Sequence, residues 1–124
     1  MASAASSMTY IDRKQQSQRL RLVVGVPVRL GRIDGTLIDI GRGGARVAHS
    51  SALKVGTELQ LAFISGGDRF VATARVVSCR VVGLGVGEKG STVYESSLRY
   101  AQLPPESREI VEQMMSSMPL TAHA

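Results

Sequence analysis

From Leu20 onward the chain alternates. Leu20, Leu22, Val24, Val26, Val28 and Leu30 are apolar at every second position, with Arg19, Arg21 and Arg29 set between them. A period of two marks a strand with one buried face. Pro27 within that run predicts an edge or a bulge, because proline has no amide hydrogen for a ladder. Gly31 to Gly35 then turns the chain into a second strand ending at Asp39. Two short apolar runs, Leu37 to Ile40 and Ala45 to Val47, flank a glycine-rich hairpin turn at Gly41-Arg42-Gly43-Gly44. Alternation resumes over Glu58 to Ile64, with Leu59, Leu61 and Phe63 on one side. Gly66-Gly67-Asp68 predicts a tight turn into a long strand, Arg69 to Val82, on which Phe70, Ala72, Ala74, Val76 and, less cleanly, Ser78 share a face.

Gly83 to Gly90 is glycine-rich, and its Gly83-Leu84-Gly85-Val86-Gly87 core superficially resembles a nucleotide loop. No Lys-Ser/Thr and no helix follow it, so phosphate-loop and dinucleotide-fold readings fail, and a bent strand with a hairpin is expected. Thr92 to Tyr100 reads as the last strand. Pro104-Pro105-Glu106 opens the one good helix, since proline suits a first turn and Glu106 and Glu109 favour the positive N-terminal end. Ile110, Val111, Met114, Met115 and Met118 form its apolar stripe, and Pro119 ends it. The expected architecture is mainly β: a small six- or seven-stranded antiparallel β-barrel with one C-terminal α-helix. Residues 1–18 read as a flexible basic leader, 19–119 as barrel and helix, and 120–124 as a tail.

Composition narrows the function. At 124 residues the chain favours one domain, with a core of Val, Leu, Ile and Ala because aromatics are few and Trp is absent. No apolar run approaches the ~18 residues of a membrane span, and no signal-peptide pattern is visible, so the cytosol is the expected compartment. Cys79 is the single cysteine and is expected to be a buried, inert thiol. The net charge of +5 is uneven: residues 1–54 hold nine Lys/Arg against three acids, and the remainder six against seven. That asymmetry points to an anionic partner. His49 and His123 are isolated, no metal-ligand spacing occurs, and neither Ser nor Cys has a neighbouring base, so no enzyme and no cofactor is expected. Nucleic acid is an unfavoured partner. Single strands want aromatic platforms along a cationic groove, and of Tyr10, Phe63, Phe70, Tyr94 and Tyr100 the two phenylalanines fall on apolar faces.

The hairpin carries the most chemistry. Its glycines offer backbone N–H groups to an anion, Asp39 is placed to cap those groups or accept from a ligand, and Arg42 and Arg46 add positive charge. With the basic leader and first strand, this hairpin resembles the PilZ domain family, bacterial β-barrels that act as receptors for cyclic di-GMP. The family's hairpin motif is Asp/Asn-x-Ser-x-x-Gly. Asp39-Ile40-Gly41-Arg42-Gly43-Gly44 matches it at Asp39 and Gly44, with Gly41 in place of serine. Val26 to Leu30 looks like the family's first strand, and Ser97-Leu98-Arg99-Tyr100 with Leu103 to Arg108 looks like its last strand and closing helix. The family's Arg-x-x-x-Arg motif is broken: with Arg21 as its second member the first falls on Ser17, and with Arg19 it falls on Gln15. Arg13 and Lys14 lie close enough in sequence to substitute. The resemblance implies a cyclic di-GMP site built from Arg19, Arg21, Asp39, Gly41, Arg42 and Gly44, with a protein effector as a further partner. The alternative is a degenerate module of the same kind that works through protein contacts without the nucleotide. An RNA-binding barrel is a third reading.

Overall fold

The computed structural model describes residues 19–85 and 90–117. Among these residues six strands are formed: β1 (Arg19–Leu30), β2 (Ile33–Gly41), β3 (Gly44–His49), β4 (Glu58–Ser65), β5 (Asp68–Gly83) and β6 (Val93–Gln102). The helix α1 (Pro105–Ser117) follows β6. All strand pairs are antiparallel, and the order β1-β2-β3-β6-β5-β4 closes into a barrel. The expected leader and tail, Met118, Pro119 and the centre of the Gly83–Gly90 segment lie outside the described residues.

The alternation fills the barrel as expected. Leu20, Val28, Leu30, Leu61, Phe70, Ala72, Ala74 and Val76 are buried in one core with Leu37, Ile40, Val47 and Leu98. Phe63 and Phe70 face each other across β4 and β5, stacked at 4.5 Å between ring centroids. The Gly66-Gly67 turn joining these strands has positive φ at both residues, 58° and 86°, the handedness that matches the twist of a tight hairpin. Ser78 leaves the buried face because the β5–β6 register shifts between Val76 and Ser78. Cys79 is correspondingly half-buried rather than buried, and its Sγ accepts a 3.5 Å contact from the Leu53 amide.

Pro27 sits where the sequence placed it. β1 pairs with β2 along most of its length but with β4 only at Arg29–Ala62 and Leu30–Leu61, so one side of β1 is unpaired at Pro27. Ile110 and Val111 of α1 complete the core, with Met114 and Met115 packed at its margin. The Ser107 hydroxyl pins this helix: it accepts from the Val71 amide at 2.9 Å and donates to the Val71 carbonyl at 2.7 Å. β6 does not extend to that part of β5, so the hydroxyl satisfies backbone groups that a strand would otherwise take.

Candidate ligand-binding site

The Asp39 hairpin is shaped by a bulge. In the pairing of β2 with β3, Leu37 faces Val47 and Asp39 faces Arg46, which leaves Ile38 unopposed. The extra residue lets both Leu37 and Ile40 point into the core, and it turns Asp39 onto the outer surface. There Asp39 is only 4% exposed, because arginines cover it. Arg19 Nη1 donates to one carboxylate oxygen at 3.3 Å, and Arg46 Nε lies 3.4 Å from the other. Asp39 therefore holds two guanidinium groups and does not cap the turn. Arg46 continues to Glu95 at 3.3 Å, and Glu95 meets Arg80 at 3.2 Å. Signs alternate along this row across the outer face of the barrel.

The turn itself is Arg42-Gly43. Arg42 grips Glu112 of α1 with two parallel bonds, Nε to Oε2 at 2.5 Å and Nη2 to Oε1 at 2.8 Å. This fork-on-fork pair is the strongest geometry available to a guanidinium and a carboxylate. Hydrogen bonding from Arg42 holds the Glu112 carboxyl below its ordinary range and raises Arg42 in return. Gly44 has an ordinary φ, and what it lacks is room: a Cβ there would stand 1.9 Å from the Leu98 carbonyl oxygen of β6. Tyr100 ties the same strands together. Its hydroxyl donates to the Gly41 carbonyl at 3.1 Å and its amide donates to the Gly43 carbonyl at 3.0 Å. Burial pushes the phenol well above its ordinary pKa, so it stays a donor.

Beside the turn opens a cleft of about 820 Å³, within the size range of small-molecule sites. Arg19, Arg42 and Gly43 line it together with Arg99 and Tyr100 of β6 and Arg108 of α1. Four arginines and no acid line it, so the cleft concentrates positive potential. Of the expected site residues, Arg19 and Arg42 line this cleft and Asp39 anchors Arg19. Gly41 and Gly44 lie behind it, as a hydrogen-bond acceptor and as a close backbone contact. Arg21 is exposed on β1, in register with Asp39. Arg13 and Lys14 lie outside the described residues. Sequence reading missed Arg99, Arg108, Glu112 and the second partner of Asp39, Arg46, as one constellation. They meet only because β6 lies beside β3 and α1 returns over the hairpin.

Comparison with known proteins agrees with this architecture. A family model described as the PilZ domain matches residues 12–117. The PilZ domain with c-di-GMP of YcgR from Escherichia coli superposes with a TM-score of 0.64 at 17% identity, covering 85% of this chain and 91% of that one. MrkH, described as a c-di-GMP-dependent transcription regulatory factor, gives 0.63 at 15% identity, covering 82% of this chain and 49% of its own. The Bacillus subtilis inhibitor of motility, MotI/DgrA, gives 0.62 at 18%, covering 86% and 52%. The chain thus spans about half the length of the latter two. No curated protein sequence matches.

Proposed function

This chain belongs to the PilZ domain family, and on that footing we propose that it is a bacterial, cytoplasmic signalling receptor for cyclic di-GMP. The dinucleotide is held between the segment leading into β1 and the Asp39-to-Gly44 hairpin. The observation that carries this reading is the arginine-lined, acid-free cleft beside that hairpin. Arg19 and Arg21 serve phosphate and guanine, Asp39 accepts from guanine N–H groups, and Arg42 with the Gly41–Gly44 backbone closes on the ligand. Arginine suits this task because its planar fork makes charge-assisted, bidentate bonds to phosphate and stacks on bases.

The missing first arginine of the family's N-terminal pair weakens the site. One hydrogen bond to a charged group contributes about 1.5–3 kcal/mol, which is roughly a tenfold to hundredfold change in affinity. Glycine in place of serine at position 41 removes a hydroxyl and keeps the backbone donors, a smaller loss.

Isothermal titration with cyclic di-GMP, with GTP as control, tests the proposal. Saturable binding specific for the dinucleotide, and lost in Asp39→Ala and Arg19→Gln, supports it. Retention of full affinity in both variants overturns the site assignment. A second reading is a module acting through protein contacts alone. It is favoured by the occupied state of Arg42, whose fork is filled by Glu112, and by the exposed apolar run Val77, Val81, Val82 and Leu84. The absence of heat at high ligand concentration selects that reading.

A further inference from the structure

The four cleft arginines are not equivalent. Arg19 is paired with Asp39, and Arg42 is doubly bonded to Glu112. Arg99 and Arg108 make no ion pair among the described residues; Arg108 reaches Glu112 only through its field. The two cleft charges without an ion pair among the described residues therefore belong to β6 and to the first turn of α1.

Their placement is specific. Arg99 is in register with Gly44, the residue whose missing side chain lets β3 press against β6, so it projects from the strand next to the hairpin. Arg108 makes the first hydrogen bond of α1, its amide donating to the Pro104 carbonyl at 2.9 Å. A cation in a first helical turn opposes the helix dipole, and here no ion pair offsets it. An anion in the cleft would relieve that opposition while exploiting the same dipole.

We propose that Arg99 and Arg108 are further phosphate-binding residues of this cleft, beside Arg19 and Arg21, each meeting one phosphodiester of the dinucleotide. This rests on the cyclic di-GMP reading and deepens it: neither position belongs to the Arg-x-x-x-Arg motif or to the Asp39-to-Gly44 hairpin motif. Two unpaired guanidinium groups match two phosphodiesters, each carrying one negative charge. The pair supplies from the barrel and helix what the broken N-terminal motif lacks. Because one partner is on β6 and the other on α1, the ligand also fastens the helix to the barrel across the cleft.

The test is titration of cyclic di-GMP into the wild-type protein, Arg99→Gln, Arg108→Gln and the double variant, at two salt concentrations. Arg29→Gln controls for net charge, since Arg29 is exposed, lies outside the cleft and pairs with Asp34. Each cleft variant is expected to lose about tenfold in affinity, the size of one charge-assisted contact. The double variant is expected to lose about a hundredfold and part of the salt dependence, the rest staying with Arg19 and Arg21, and Arg29→Gln to stay within about twofold. Thermal melts establish that the variants fold. If wild type saturates and both single variants bind as wild type does, the assignment of Arg99 and Arg108 falls and the receptor reading stands. If wild type itself does not bind, both fall.

Discussion

Replacing Gly44 by alanine separates a structural role for this motif glycine from direct ligand contact. The new Cβ would lie 1.9 Å from the Leu98 carbonyl oxygen, where even a tight contact requires 3.0 Å, so β3 and β6 must part by more than 1 Å. Neighbouring strands normally run ~4.8 Å apart, with N···O distances near 2.9 Å, and such an opening stretches the nearest bonds to about 4 Å. The bonds at risk surround the Gly44–Arg99 and Ala45–Leu98 pairs and include Tyr100 N–H to Gly43. Three backbone bonds at about 1 kcal/mol each, without counting the disturbed packing of Ala45 and Leu98, give a loss of about 3 kcal/mol. For a domain of this size that corresponds to a fall in Tm of about 12–24 °C. Thermal denaturation followed by circular dichroism measures it. A Tm within about 4 °C of wild type would refute the argument, since it would mean that the strands separate at almost no cost. If the large loss is found, loss of ligand binding in this variant reports a displaced hairpin and not a lost contact.

Three further outcomes are expected. Ser107→Ala leaves the Val71 amide and carbonyl without their partner and destabilises by about 2 kcal/mol in urea titrations, with α1 the element loosened. Glu112→Gln breaks the fork with Arg42, whose partners are 29% and 43% exposed, so the cost at neutral pH is about 0.5 kcal/mol. Because folding lowers the Glu112 pKa, this contribution is complete above 4.5 and disappears as pH falls below it, so wild type and variant converge in acid. His49 is buried against Ser96 and Tyr94, and burial lowers its pKa from 6.5, with the Ser51 backbone pulling the other way. The unfolded chain therefore takes up the proton first. Stability declines as pH drops through 6.5 toward the folded value, and His49→Gln flattens that slope in melts from pH 7.5 to 5.5.

The legible parts of the chain were those where one face is core and the other solvent. β4 and the first half of β5 alternate cleanly, and Phe63, Phe70, Ala72 and Ala74 are buried as that alternation requires. Beyond Val76 the pattern breaks, because two register shifts leave Val77, Val81 and Val82 outside and Cys79 at the margin. The hairpin was legible from its glycines and Asp39. Its surroundings were not: Arg46 takes part because a bulge at Ile38 re-aims Asp39, and no local pattern announces that bulge. Arg99 and Arg108 are ordinary outward arginines in sequence. Only the non-consecutive β3–β6 pairing and the return of α1 bring them to the turn, through contacts more than fifty residues apart along the chain.

The short β1–β4 junction makes the barrel a ring with a clasp. Two residue pairs and the Gly31 amide on the Gln60 carbonyl hold it, whereas every other neighbouring pair of strands is stitched along five or more positions. Breathing motions concentrate at such a gap, since opening it breaks the fewest bonds. The strand that forms the clasp runs back to Arg19 at the cleft, with its ladder to β2 interrupted between Arg21 and Val26. The clasp is then where the barrel is expected to open first, seen as faster amide exchange at Gly31 and across Gln60 to Ala62 than along the longer strand pairs.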